Sequence, residues 1–136
     1  MPSLLYLVKQ LELAVRARLD EVVRGQGVTA LQYTALTVLE RHDGLSAAQL
    51  ARDSFVTAQS TADLVRALET RGLIRRERNP LNRRELRIHL TAEGRALLAA
   101  VETPVRELEA RMISELTEGQ AAGFRQSLIS AWQALA

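Results

Sequence analysis

The chain of 136 residues has no cysteine, one lysine (Lys9), three prolines, and only two phenylalanines, two tyrosines and one tryptophan. Without cysteine there is no disulfide, no thiolate nucleophile, no thiol redox sensor and no cysteine-ligated zinc. With one lysine, cationic chemistry falls to arginine, whose planar fork engages phosphates and base edges through paired hydrogen bonds. No window approaches 18 uncharged apolar residues, which excludes a membrane-spanning helix. Met1-Pro2-Ser3-Leu4-Leu5-Tyr6 lacks a basic leader, and Lys9, Glu12 and Arg16 interrupt the apolar run. No secretory signal is expected, and the cytoplasm is the expected location. Catalytic signatures are missing too: no G-x-S-x-G, no glycine-rich phosphate loop, no metal-ligand spacing of histidines. His42 falls in a turn and His89 on the outer face of a strand, neither with a carboxylate partner at motif spacing. An enzyme, a cofactor or a bound metal is therefore not expected.

What is present is an ordinary globular composition, 47% apolar and 25% charged, at a length that suits one domain. The net charge is +2, yet Arg71 to Arg95 holds eight arginines against three glutamates, so the rest of the chain balances near −3. A surplus this concentrated attracts a polyanion whatever its sequence. Within the window Leu86, Ile88 and Leu90 alternate with Glu85, Arg87 and His89, the pattern of a strand with one wet face. Asn79-Pro80-Leu81-Asn82 before it is turn chemistry, because proline presets φ and asparagine tolerates unusual backbone angles. The segment reads as a hairpin with Arg83 and Arg84 at its tip.

Around the hairpin the spacing is helical. Leu4, Val8, Leu11, Val15, Leu19 and Val22 predict a long amphipathic helix from Ser3 to Arg24, closed by Gly25-Gln26-Gly27. Thr29 to Gln32, Ser46 to Gln49 and Thr117 to Gln120 each read as a capping box, a hydroxyl and a glutamine serving each other's backbone amides. They open helices to about Arg41, to about Asp53, and through Trp132. Ser54-Phe55-Val56 leads to Thr57, the N-cap of a helix that buries Thr61, Leu64, Val65 and Leu68 and stops at Gly72. Thr91 caps a last long segment with Leu97, Val101, Val105, Leu108, Met112 and Leu116 on one face, which Pro104 should kink or divide. The fold class is mainly α, a winged helix-turn-helix over 28–91 with long N- and C-terminal helices at 1–27 and 92–136. The apolar stripes of those outer helices exceed what one core can cover and require a second copy.

Leu68-Glu69-x-Arg71-Gly72-Leu73-Ile74-x-Arg76, Asn79-Pro80-x-Asn82-Arg83-Arg84 and Leu90-Thr91-x-x-Gly94 together resemble the signature block of MarR-type regulators (multiple antibiotic resistance regulators). The motif spans about a fifth of the chain, and the likeness in order and length covers nearly all of it. The resemblance implies a single MarR-like domain over 1–136 that forms a homodimer. Such a protein is a transcription factor, usually a repressor, on a pseudo-palindromic double-stranded operator. Many members release DNA when a small phenolic or aromatic acid binds; others sense cysteine oxidation, a branch closed to this chain. The family usually has Asp where this chain has Asn82, and often Asp in place of Asn79. Its acid helps hold the wing-tip arginine, whereas asparagine can hydrogen-bond but not ion-pair.

Candidate contacts follow. Arg84 matches the family's minor-groove arginine, with Arg83 its phosphate-contacting neighbour; the other reading is a solvated charge run that keeps a sheet edge soluble. After Thr57, which caps first and touches phosphate second, Gln59, Ser60, Asp63 and Arg66 lie away from the apolar stripe. Gln59 suits adenine N6 and N7, Ser60 a base edge or phosphate, Arg66 a phosphate or guanine. Asp63 either accepts from cytosine N4 or pairs with Arg66 three residues on. Gln49 and Arg52 are backbone contacts or plain surface. For an effector, the resemblance places Arg16, Gln32 and Tyr33 at the border of the family's cleft; otherwise Tyr33 is a core aromatic and Arg16 a solvated charge. The rival class is a winged-helix protein-interaction module that does not use DNA.

Overall fold

The structure, a computed structural model, describes residues 1–54 and 56–136, and of Arg83 only the backbone. Phe55, in the connection leading to Thr57, lies outside the described residues. Among these, six helices and a three-stranded antiparallel sheet follow in the order α1 (Leu4–Val23), α2 (Ala30–Arg41), β1 (Leu45–Ser46), α3 (Ala47–Asp53), α4 (Ala58–Thr70), β2 (Ile74–Asn79), β3 (Asn82–Leu90), α5 (Ala92–Met112) and α6 (Glu118–Leu135). The strand order is β1-β3-β2. This is the mainly α, winged helix-turn-helix architecture expected from the spacing.

The chain divides into two compact units, Met1–Glu102 and Thr103–Ala136. In the first, Val23, Leu36, Leu39, Leu50, Leu68, Ile74 and Ile88 are fully buried, so one core joins the end of α1, the helices α2 to α4 and the base of the sheet. The apolar stripe of α1 behaves differently. Leu4, Leu5, Tyr6, Leu7 and Val8 are all exposed, and Val23 is the helix's one buried residue. In the second unit no described residue is fully buried. Its helices leave an open, mostly apolar groove of about 560 Å³ bordered by Met112, Ile113, Phe124, Leu128 and Ile129. No helix among the described residues is long and apolar enough to cross a membrane.

The caps account for the boundaries, with three departures from expectation. Thr29–Gln32 and Thr117–Gln120 are complete capping boxes. Ser46–Gln49 is half of one: the Ser46 hydroxyl accepts the Gln49 amide at 3.2 Å, but the Gln49 side chain turns to Asp53 and Arg52 instead. Ser46 also stands opposite Arg87 in the sheet register. Pro104 does not divide α5, which runs unbroken from Ala92 to Met112. A proline removes one amide from the ladder, and the division between the two units falls just before it. The helix also ends short of Leu116, whose amide instead closes a turn onto the Ile113 carbonyl at 2.9 Å.

Gly94 shows how tightly the base of the hairpin is seated. A Cβ there would lie against the Leu73 carbonyl oxygen and 2.6 Å from Leu90 Cδ1. The Thr91 hydroxyl accepts the Gly94 amide at 3.1 Å and donates to the Gly72 carbonyl at 2.6 Å, so one side chain both caps α5 and fastens it to the end of α4.

Candidate nucleic-acid interface

The α4 helix begins at Thr57, whose hydroxyl oxygen accepts the Ser60 amide and donates to the Ser60 hydroxyl, both at 3.1 Å. Thr61, Leu64, Val65 and Leu68 face the core, which turns Gln59, Ser60, Ala62, Asp63 and Arg66 to solvent. The expected Asp63–Arg66 pair is present at 3.1 Å, with the two side chains 82% and 69% exposed. It satisfies both charges locally without burying either, so a competing phosphate can displace it at little cost. Along α3, Arg52 donates to Gln49 at 2.7 Å.

The wing is a hairpin whose inner face fades outward. Ile88 and Leu90 are 1% and 5% exposed, whereas Leu86, two residues further out on the same face, is 40% exposed. Pairing runs regularly from Ile74↔Leu90 to Arg78↔Leu86 and then jumps to Asn79↔Asn82. Arg83, Arg84 and Glu85 therefore bulge out of the ladder, a device that re-aims side chains near functional edges. The two asparagines hold the turn: Asn79 Oδ1 accepts the Leu81 amide at 3.0 Å and Asn82 Oδ1 the Arg84 amide at 3.2 Å. Asn82 thus grips the backbone of the wing arginine. Arg84 and Arg78 are exposed, and among the described residues neither forms an ion pair. The side chain of Arg83 lies outside the description.

The base of the wing is tied down. Arg71 donates to the Gly27 and Gln26 carbonyls at 2.6 and 2.8 Å, joining the end of α4 to the turn after α1. Arg76 forks onto Glu69 at 2.7 and 3.0 Å, joining β2 to α4. Arg75 pairs with Glu77 at 3.0 Å. His89 corrects the sequence reading: its Nδ1 lies 3.0 Å from Asp43 and its Nε2 3.4 Å from Glu77, so it has two carboxylate neighbours. Burial alone would raise the Asp43 carboxyl, but hydrogen bonds from His89 and the Leu90 amide outweigh it and hold the group below its ordinary value. The Arg76 hydrogen bond lowers Glu69, and the Arg75 hydrogen bond and charge lower Glu77. Arg71 and Asp43 escaped the sequence reading as structural ties. Their only signal was a place beside a turn glycine, Gly72 and Gly44.

Of the expected effector residues, Arg16 on α1 is paired with Glu12. Gln32 gives its carbonyl oxygen to the Thr29 amide at 3.0 Å, and Tyr33, half-buried, follows it on α2. None of the three lines the 560 Å³ groove or a second concavity of about 200 Å³ between α4 and the hairpin, bordered by Ala62, Val65, Arg66, Arg76 and Leu86.

A family model described as the MarR family matches residues 26–85. The HTH-type transcriptional repressor Rv2887 of Mycobacterium tuberculosis is 33% identical over 123 residues, 90% of this chain and 88% of the relative. The crystal structure of the M. tuberculosis MarR family protein Rv2887 in complex with salicylic acid matches with a TM-score of 0.78 at 32% identity, covering 96% of this chain and 97% of that one. The S. aureus MepR–DNA complex matches with a TM-score of 0.88, covering 98% of this chain and 99% of that one; at 24% identity the likeness is one of fold.

Proposed function

The chain belongs to the MarR family, and from that premise we propose that it is a cytoplasmic, homodimeric, sequence-specific DNA-binding repressor relieved by a small aromatic acid. It is a regulator rather than an enzyme. The observation that carries the reading is the pairing, within one compact unit, of an exposed polar α4 face with a hairpin that has arginines at its outer end. Phosphate contacts by arginines and by the N-terminus of α4 supply most affinity; Gln59, Ser60, Asp63 and Arg66 in the major groove supply discrimination. Thr57 sets the start of that helix and meets a phosphate, while Arg83 and Arg84 follow the minor groove.

Residues 28–91 form the DNA-binding part, and 1–27 with 92–136 the dimerisation helices. The exposed apolar residues Leu4, Leu5, Leu128, Trp132 and Leu135 support the second copy, because side chains of this size gain by leaving water. Two-fold symmetry then sets half-site centres about 10 bp apart. The salicylic acid bound by a relative at 32% identity supports the effector class, and Arg16, Gln32 and Tyr33 are the residues we assign to meeting it.

The test is titration of the purified protein against a duplex selected from a randomised library, at 50 and 200 mM salt, with and without salicylate. Neutralising about 6–10 phosphates predicts a fall in affinity of roughly 10³–10⁵-fold across that range, and salicylate should weaken binding further. A protein that selects no duplex is instead an interaction module on the same fold.

A further inference from the structure

We propose that the outer end of the wing adds an apolar contact to its cationic ones: Pro80 and Leu81 pack against the deoxyribose carbons that wall the minor groove. The inference rests on the DNA-binding reading and names which part of the duplex the turn meets, and through which atoms.

Leu81 is 91% exposed. Every other described large apolar side chain more than 55% exposed lies among the first eight or last five residues of the chain, on the helices assigned to dimerisation. Leu81 stands apart from them, in the two-residue turn Pro80-Leu81 that Asn79 and Asn82 flank, with Arg78 before that pair and Arg83 and Arg84 after it in sequence. A surface turn ordinarily sends its polar side chains outward. Here the arrangement is inverted. Asn79 is 7% exposed and turns its oxygen inward to the Leu81 amide, while the leucine side chain is left in water.

The turn is also preformed. Proline presets φ at position 80, and the two asparagine oxygens hold the amides of Leu81 and Arg84. Presenting the leucine to a partner therefore requires little further ordering of the backbone, which would otherwise oppose binding.

Charge selects the partner. With Arg78 and Arg84 exposed beside it, the turn suits a surface that is anionic at its rims and apolar between them. The minor groove of B-DNA has that form, phosphates at its edges and sugar carbons along its walls, and its width of about 6 Å admits a turn but not a helix. A leucine makes no hydrogen bond to a base edge, so its contribution depends on the width of the groove rather than on base identity.

Salt separates the two kinds of contact. Arg84 acts by releasing counterions, so Arg84→Ala lowers the slope of log affinity against log salt by about one unit for each wing. Leu81→Ala removes apolar contact only, and should weaken binding by roughly ten-fold at every salt concentration with the slope unchanged. Because the side chain is already in water, the melting temperature should stay at the wild-type value, whereas Leu81→Met should retain most of the affinity. The probe is a 30-bp duplex selected by the wild-type protein from a randomised library, titrated between 50 and 200 mM potassium chloride. Hydroxyl-radical footprinting on it should show weaker sugar protection for Leu81→Ala where the wing lies. An affinity within two-fold of wild type, or a deficit that disappears as salt rises, overturns the apolar contact while leaving the DNA-binding reading intact. Failure of the wild-type protein to select any duplex overturns that reading itself.

Discussion

At the base of the wing, Arg71, Arg75 and Arg76 each hold an oxygen of the same chain, whereas at the outer end Arg78 and Arg84 hold none among the described residues. The apolar residues divide the same way, with Ile88 and Leu90 buried beneath the base and Leu81 and Leu86 exposed beyond it. Counting charges along the sequence therefore overstates what a polyanion can reach. Of the eight arginines between Arg71 and Arg95, the three at the base are engaged within the chain: Arg71 joins α4 to the turn after α1, Arg76 joins β2 to α4, and Arg75 pairs along β2 with Glu77. Rigidity at one end and unpaired charge at the other suit a probe that must arrive at a groove in a fixed direction.

The largest effect should come from removing the core beneath the base. Ile88→Ala is expected to cost about 2–5 kcal/mol in urea unfolding, the usual range for emptying a fully buried aliphatic site. Leu86→Ala, on the same strand and face, should cost less than about 1 kcal/mol because its side chain is half in water already. Equal losses at the two positions would mean that the strand is seated along its whole length, and the distinction between base and outer end would fall.

The second prediction separates two exposed arginines that composition cannot distinguish. Arg84→Ala should weaken binding to a selected duplex by roughly ten-fold and flatten its salt dependence, with the melting temperature unchanged. Arg76→Ala should do the reverse, lowering the melting temperature slightly through loss of the Glu69 fork while leaving the salt slope near wild type. A matching loss of slope in both variants would show that Arg76 leaves Glu69 to meet phosphate.

How much of this was legible depended on distance along the chain. The boxes at Thr29 and Thr117, the cap at Thr57 and the Asp63–Arg66 pair were readable because their partners are three residues apart. The alternation of Leu86, Ile88 and Leu90 was readable as a strand, but not the point where its burial stops, since that depends on how far α2 and α3 reach along it. The box at Ser46 is only half formed because the Gln49 side chain, which should reach back, is taken by Asp53 and Arg52 on its own helix. Arg71 meets the Gly27 carbonyl and His89 the Asp43 carboxylate across 44 and 46 residues, so no local spacing announced either tie. Of the two effects expected of Pro104, a kink or a division, the division does not occur: α5 runs from Ala92 to Met112 with the proline inside it. Asn82 was read as able to hydrogen-bond but not to ion-pair, and its Oδ1 accepts the Arg84 amide.

The smallest effect concerns pH, and it too should be confined to the base. Asp43, Glu69 and Glu77 are all held below their ordinary carboxylate values, by His89 and the Leu90 amide, by Arg76 and by Arg75. A depressed carboxyl stabilises the folded state fully at pH values above the unfolded carboxylate range, near 4, and loses that contribution as pH falls through the lower folded value. These three groups therefore leave stability flat between about pH 5 and 7 and withdraw support only in more acidic solution. The Asp43 side chain is 39% exposed, so solvent screening should keep its share below about 1 kcal/mol. Asp43→Asn should retain a hydrogen bond to the Leu90 amide and become insensitive to acid at that position, giving a shallower fall in the urea midpoint below pH 4 than wild type. Arg84→Ala should track wild type throughout, because no carboxylate among the described residues holds that side chain. An acid limb steepened by Arg84→Ala, or untouched by Asp43→Asn, would place the pH-sensitive contacts at the outer end and reverse the assignment of structural and binding arginines.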